Sequence, residues 1–398
     1  GRIPGTLLMP ENAAFREYVL RETAGSAERR AEVEALLERM IYPTLYALFE
    51  TGVYDRDFND PSLFARFEGH KALAARCAAE AMVLLKNQRN ILPLKPGQRI
   101  LLTGTDEIHS GTGSGFVKGY DHVSYEQGLR AVYGDDLICQ TDPDRETVRL
   151  NKPAGEGLDI PYEEPADQLE RLRETAGLNK NVIVLINACN VMPMDWLKDV
   201  RGVVWCYFLG QERGTALAAL LSGRENFSGK LPFTVERGFS DHIRPGETID
   251  VPYSEGVFIG YRWYDKHRIP YVFPFGYGLS YTSFTYESIA CEDRMEREGR
   301  VLVTVRVRNG GGRAGKEIVQ LYVSDTRSSV ERPKKELKAF AKVALEPGES
   351  KTVTLELDRR SFSFWDTESH GWKLERGEFV LRAGGSSADL PLSTVLNL

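Results

Sequence analysis

Cysteine is scarce in this sequence. Its 398 residues hold five, Cys77, Cys139, Cys189, Cys206 and Cys291, odd in number and mostly set in apolar runs. No Cys-x-x-Cys pair and no Cys/His cluster occurs, which argues against a metal centre and against a disulfide framework. Buried thiols in a reducing compartment are the simpler expectation. Long hydrophobic runs are missing too: "VIVLINAC" and "VVWCYFLG" have strand length and fall short of the ~20 residues of a spanning helix. Positive charge is not in excess. With 51 Lys+Arg against 57 Asp+Glu the net charge is −6, so there is no electrostatic footprint for nucleic acid or anionic lipid. The opening "GRIPGTLLMPEN" has neither the basic n-region nor the apolar h-region of a secretory signal. A cytoplasmic location is expected, with a periplasmic or secreted one as the alternative.

What is present is globular composition, 42 % hydrophobic and 27 % charged, in a chain long enough for two or three domains. Residues 27–50 carry apolar positions at helical spacing, with Pro43 marking a break or kink. A second helix is expected over 62–86, "SLFARFEGHKALAARCAAEAMVLLK". From there to about residue 235, apolar runs alternate with helical stretches. "RILLTG", "DLICQ", "NVIVLINAC" and "GVVWCYFLG" read as buried strands; "EEPADQLERLRETAG" and "GTALAALLSG" read as helices. That alternation predicts a mostly parallel sheet covered by helices, an α/β/α sandwich. After residue 284 the period changes to two, in "VLVTVRVRN", "EIVQLYVSD", "ELKAFAKVAL", "SKTVTLELD" and "EFVLRAG". Turns rich in Gly, Asn, Asp and Pro separate these runs, which predicts a β-sandwich of roughly seven strands, of the immunoglobulin or fibronectin type III kind. Between the two lies an aromatic, glycine-rich stretch ending in "PYVFPFGYGLSYTSF", expected to be an ordered connector packed on both neighbours.

Candidate chemistry sits in loops. "NKPAGEGLDIP", residues 151–161, sets Glu156 between two glycines with no helical or strand period. Such glycines free the backbone and leave room for a close partner of the carboxylate; a polar turn with a solvated Glu fits the same residues. "HSGTGSG", 109–115, follows a strand and could cradle an anion, yet it matches neither the dinucleotide fingerprint nor a P-loop with its Lys. Lys86 and Asn87 are expected to end the helix and hold the turn after it. Glu163 and Glu164 suit a helix N-terminus. Asp195 and Trp196 suit a helix start and its packing residue. Trp263, Tyr264, Phe273, Phe275, Tyr277 and Tyr281 are expected to pack between domains, with sugar stacking by one of them as the alternative.

Taken in order, "AAEAMVLLKNQRNILPL", "GTGSG", "AGEGLD", "NVIVLINACNVMPMDWL", "GQERGTALAALLSGRENFSGKLPFT", "EGVFIGYRWYD", "YVFPFGYGLSYTSFTY", "VRVRNGGGRAGKEIVQLYVSD", "RPKKELKAFAKVAL" and "EPGESKTVTLEL" resemble glycoside hydrolase family 3, the β-glucosidase family. The resemblance covers most of residues 70–398. It implies a (β/α)8 barrel bearing an Asp nucleophile, then an α/β/α sandwich bearing the acid/base Glu, then a fibronectin type III-like domain. It makes Glu156 the proton donor and puts His109 and Ser114 beside the sugar cleft, with a surface-loop histidine as the alternative for His109. It implies no metal and no cofactor.

The departures are specific. A barrel needs about 250 residues, and residues 1–69 match only its end and a helical linker: "GTLLMPEN" resembles the stretch after the nucleophile motif. No Ser-Asp-Trp nucleophile motif occurs. The family's apolar strand before the acid/base loop has no counterpart in "CQTDPDRETVRLNKPAGEG", and Ile160 stands where an Arg often follows the loop's Asp. The expected organisation is therefore 1–69 barrel remnant and linker, 70–240 α/β/α sandwich, 241–283 aromatic connector and 284–398 fibronectin type III-like domain, with the barrel largely absent. The expected function is a retaining β-glucosidase-like hydrolase whose nucleophile lies elsewhere, so that the 398-residue chain alone is inactive. The alternative is a catalytically incomplete carbohydrate-binding or scaffold fragment. Expected partners are a carbohydrate and a barrel domain, in cis or on another chain, with a homo-oligomer as a further arrangement; neither nucleic acid nor membrane is expected.

Overall fold

The computed structural model describes residues 26–53, 55, 61–104, 116, 117, 119, 121–141, 166–188, 191–237, 253 and 255–398. The chain divides into two compact units, Gly1–Glu68 and Gly69–Leu398. In the first, helix α1 (Ala27–Glu50) is capped by Ser26, whose Oγ accepts from the Arg29 N–H at 3.2 Å. Pro43 lies inside this helix without ending it. Tyr42 and Tyr46, one turn apart, stack with centroids 5.9 Å apart.

Helix α2 (Arg66–Ala81) stops earlier than its helical spacing suggests, and Val83–Asn87 forms strand β1. Tertiary packing decides this. Leu84 faces one hydrophobic core while Val83 and Leu85 face the other, a period of two that only a strand can deliver. Strand β5 (Gly202–Trp205) pairs antiparallel with β1 and parallel with β4 (Ile183–Ile186). It splits its side chains the same way, Val204 to one core, Val203 and Trp205 to the other. A second parallel pair joins β2 (Ile100–Gly104) to β3 (Leu137–Thr141). Helices α3 (Tyr125–Tyr133) and α5 (Arg213–Leu221) cover one side through Leu129, Leu217 and Leu220; α4 (Ala166–Leu178) covers the other through Ala176. The result is a mixed α/β sandwich with an antiparallel edge strand. Each fully buried large aliphatic side chain contributes about 1.5–3 kcal/mol to it.

Two short strands, β6 (Val235–Glu236) and β7 (Tyr271–Phe273), pair antiparallel, and the rest of the second unit is a β-sandwich. One sheet runs β11 (Glu336–Leu345), β10 (Gly315–Asp325), β15 (Glu378–Gly384), β16 (Leu392–Asn397); the other runs β12 (Ser350–Asp358), β9 (Arg300–Asn309), β8 (Phe284–Arg294). Along β9 the residues Val301, Val303, Val305 and Val307 are fully buried and alternate with residues that face outward. A separate hairpin pairs β13 (Phe364–Asp366) with β14 (Gly371–Lys373). The strands of the described residues form open sheets, with no closed barrel.

The aromatic connector is bonded to both domains. On the α/β side, Leu279 N–H donates to the Leu84 carbonyl at 2.8 Å and the Tyr281 hydroxyl to the Leu220 carbonyl at 2.9 Å. On the sandwich side, Gln320 Nε2 donates to the Gly276 carbonyl at 3.1 Å and Ser387 N–H to the Phe275 carbonyl at 2.9 Å. The ring of Phe275 lies 5.0 Å from that of Tyr261, in helix α6 (Tyr261–His267), which meets Tyr322 of β10 edge-on at 5.9 Å. Three ion pairs cross the same junction: Glu80 with Lys316 and Lys342 at 2.6 and 2.8 Å, and Glu317 with Lys230 at 3.2 Å.

Candidate functional site

In an α/β sandwich, ligands bind beyond the carboxyl ends of the parallel strands, where the crossover loops leave the sheet. Strands β2 and β3 end at Gly104 and Thr141, which are register partners. The glycine-rich segment holding His109 and Ser114 therefore starts beside the point where the segment holding Glu156 starts. All three of these residues, and Glu163 and Glu164, lie outside the described residues.

What is described is the frame around those departures. The first loop returns to the fold at α3, whose start is fixed by a capping box: Ser124 Oγ accepts from Gln127 N–H at 3.1 Å, and Gln127 Oε1 from Ser124 N–H at 2.8 Å. That return is bolted to the loop after β5 by the backbone. Val123 N–H donates to the Gln211 carbonyl at 2.8 Å and Gly214 N–H to the Val123 carbonyl at 3.1 Å. The approach is so close that a Cβ on Gly214 would lie 1.8 Å from the Ser124 carbonyl oxygen, and one on Gly128 would lie 2.1 Å from that of Gly214. Only glycine fits such a crossing.

Two buried side chains, Tyr125 and Arg213, and the half-buried Asn187 extend the clamp to the loop after β4. Tyr125 is 2 % exposed and its hydroxyl donates to Asn187 Oδ1 at 2.6 Å, one residue past the end of β4. The Arg213 guanidinium lies over the Tyr125 ring, 5.6 Å from its centroid. Cys206 sits beneath this group, and burial pushes its thiol up to about 12, with the Tyr125 hydroxyl pulling slightly the other way. The neighbouring Glu212 is buried as well and accepts from Thr215 Oγ1 at 2.7 Å. Trp205 Nε1 donates to the Ala188 carbonyl at 2.8 Å, tying the β4 loop to the central strand. Next to it Tyr207 takes a left-handed backbone (φ 53°), a strained conformation of the kind that collects at ligand-binding edges. Among the described residues no cluster of His, Cys, Asp and Glu is arranged to hold a metal ion.

The opposite edge of the sheet is structural. Lys86 Nζ donates to the Leu197 carbonyl at 2.6 Å, and the Asn87 amide brackets Leu92 at 2.9 and 3.0 Å. This agrees with a turn-holding role, although both residues close a strand and not a helix. Trp196 is buried in a short turn at Asp195–Asp199. Tyr125, Asn187 and Arg213 escape a sequence reading, because their convergence is tertiary. The Ser-x-x-Gln capping box before Gln127 is the local signal that marks where the first loop ends.

A mixed α/β sandwich followed by a fibronectin type III-like sandwich is the architecture these observations define. The sequence profile of the Glycosyl hydrolase family 3 C-terminal domain matches residues 82–281, and that of the Fibronectin type III-like domain matches residues 317–387. The chain belongs to glycosyl hydrolase family 3. It is 37 % identical to "Thermostable beta-glucosidase B" of Acetivibrio thermocellus, over 90 % of this chain and 51 % of that one. It is 33 % identical to "Exo-alpha-(1->6)-L-arabinopyranosidase" of Bifidobacterium breve, over 81 % of this chain and 48 % of that one. Among solved structures, the GH3 beta-glucosidase of Bifidobacterium adolescentis superposes with a TM-score of 0.80 at 30 % identity, covering 98 % of this chain and 61 % of that one. The chain thus spans about half the length of the curated relatives it matches. No helix among the described residues is long and apolar enough to cross a membrane.

Proposed function

We propose that this chain is the acid/base-bearing portion of a retaining β-glycosidase, most simply a β-glucosidase, with Glu156 as the proton donor and His109 and Ser114 beside the sugar. The observation that carries the reading is the family match over residues 82–281, within which Glu156 is the carboxylate of the glycine-flanked loop. A retaining glycosidase needs two carboxyl groups about 5–5.5 Å apart across the scissile bond. One attacks the anomeric carbon. The other protonates the leaving oxygen and later takes a proton from the incoming water. Glu156 takes the second role; an Asp supplied by a barrel domain, in cis or on another chain, takes the first. Partial desolvation and the facing carboxylate would raise the Glu156 pKa toward neutrality, as a general acid requires. The clamp of Tyr125, Asn187 and Arg213 would fix the loop ends from which that carboxylate is presented. The four free thiols at Cys77, Cys139, Cys206 and Cys291 favour a reducing compartment.

The test is made on the protein that joins this chain to its barrel. Glu156→Ala should lose about 10²–10⁴-fold in turnover of glycosides with poor leaving groups, lose less on activated aryl glycosides, and regain turnover with added azide. Equal losses on both substrate types without azide rescue would remove Glu156 from the role. The alternative, scaffold-fragment reading predicts that no barrel partner restores hydrolysis.

A further inference from the structure

Two of the five tryptophans are placed unlike the rest. Trp196 and Trp205 are 3 % and 0 % exposed, whereas Trp365 and Trp372 are 50 % and 48 % exposed. They are direct cross-strand partners on the β13–β14 hairpin, and so share one face of it, with ring centroids 5.7 Å apart and planes at 76°. The hairpin belongs to neither sheet of the sandwich. Its surroundings are fixed. Asp358 accepts from both the N–H and the hydroxyl of Ser361 at 2.8 Å, which sets the turn at Arg359–Phe362 and anchors it through buried Phe362. That turn carries Arg360, whose guanidinium lies 4.2 Å from the Trp372 ring centroid. The hairpin's own turn is tied by Ser369 Oγ donating to Asp366 Oδ2 at 2.6 Å.

We infer that this hairpin is a carbohydrate-binding site, separate from the sheet edge described above, and that it takes a neutral β-linked glucan chain. Three observations select that occupant. The first is size. A Trp buries about 150–250 Å² when wholly covered, so two half-exposed rings offer about 200 Å², far below the ~800 Å² per partner of a stable protein interface. The second is charge. Between residues 358 and 373, Arg359, Arg360 and Lys373 are balanced by Asp358, Asp366 and Glu368, so the patch offers a polyanion no net attraction. The third is chemistry. A β-linked glucose ring has equatorial hydroxyls, so its faces are C–H surfaces that lie on an indole while its rim forms hydrogen bonds. The Arg360 guanidinium lies over one face of Trp372, so a sugar would lie on the faces left open, with the N–H donors of Arg360 beside its rim. Preorganisation of the turn lowers the entropy cost of binding.

Because the site requires no hydrolysis, it is tested on the 398-residue chain itself, and its failure leaves the assignment of Glu156 untouched. Electrophoresis through a native gel containing soluble mixed-linkage β-glucan should retard the chain. Titration with a β-linked gluco-oligosaccharide should change its tryptophan emission. Trp365→Ala and Trp372→Ala should each weaken binding about tenfold and the double variant should abolish it. The melting temperature should fall by no more than a few degrees, since both side chains are half-exposed and lose only the contact with each other and with Arg360. Trp372→Phe should keep part of the affinity. Three results would overturn the inference: an unretarded wild-type chain, a double variant that still binds, or retardation equally strong on a sulfated polymer and removed by salt. A dimer in sedimentation that Trp365→Ala dissolves would overturn it too, by assigning the face to a second copy.

Discussion

Replacing Lys230 with Met tests the joint between the α/β domain and the sandwich. Lys230 Nζ lies 3.2 Å from Glu317 Oε1, with side-chain exposures of 13 % and 6 %, and also donates to the Gly278 carbonyl at 3.0 Å. The Tyr286 hydroxyl donates to the same carboxylate at 3.2 Å. Burial holds the Glu317 carboxyl above its ordinary range, and Lys230 pulls it partly back. Without the ammonium, a buried carboxylate keeps the neutral Tyr286 hydroxyl and Ile318 N–H donors but no counter-charge, the situation that typically costs about 3–5 kcal/mol. The melting temperature should fall by on the order of 5 °C or more. The pH dependence has a definite sign. A carboxyl raised by folding contributes its stability below the unfolded pKa and loses it as pH rises through the folded value. Losing Lys230 raises the folded value further, so the deficit of Lys230→Met should be large at pH 7 and close near about pH 4. The double variant Lys230→Met/Glu317→Leu should recover most of the loss, because no charge is then left buried. Urea unfolding at the two pH values, followed by tryptophan fluorescence, measures all three proteins. A loss under about 1 kcal/mol, or one equal at both pH values, would mean that the pair is effectively solvated and would refute the reasoning.

The Glu80 carboxylate, held by Lys316 and Lys342, is lowered to about 2. Its contribution should be present above pH 4.5 and vanish as pH falls toward 2, so melting curves of wild type and Glu80→Gln should converge there. At pH 7 the difference should stay near 1 kcal/mol, since a third of the side chain is exposed. Gly214→Ala drives a Cβ into the Ser124 carbonyl and should cost at least about 1–3 kcal/mol in urea unfolding; a silent substitution would mean that the α3–α5 crossing yields freely. Phe275→Ala removes a half-buried ring between the domains and should cost about 3 kcal/mol, the lower end of such truncations. Calorimetry should show the α/β and sandwich transitions shifting together.

Much of the fold is written in local periodicity. The alternation of Val301 to Val307 along β9 can give only a strand with one buried face, and "VIVL" and "GVVW" can give only strands once helices flank them, although only the second is buried throughout. The stretch after Ala81 was misleading because "AAEAMVLLK" continues a helical composition without interruption. What breaks the helix is the presence of two cores, one on each side of Leu84 and its neighbours, and no window of sequence contains them. The β13–β14 hairpin and α3 have no legible period for a related reason: three-residue strands and a nine-residue helix carry too few positions to establish one.

The candidate site divides along the same line. Glu156 is legible because two glycines around one carboxylate are a local peculiarity, and because the motif recurs in a family. Its scaffold is not legible, since Tyr125, Asn187 and Arg213 stand 62 residues apart or more in two of the three pairings, Tyr125 with Asn187 among them. They meet because Gly128 and Gly214 let two helices touch through their backbones. A catalytic carboxylate carried between two elements gains precision only from fixed points in the fold around it. The glycines that flank Glu156 are a signal within the sequence, whereas those of 128 and 214 supply such fixed points through packing that only the fold brings about.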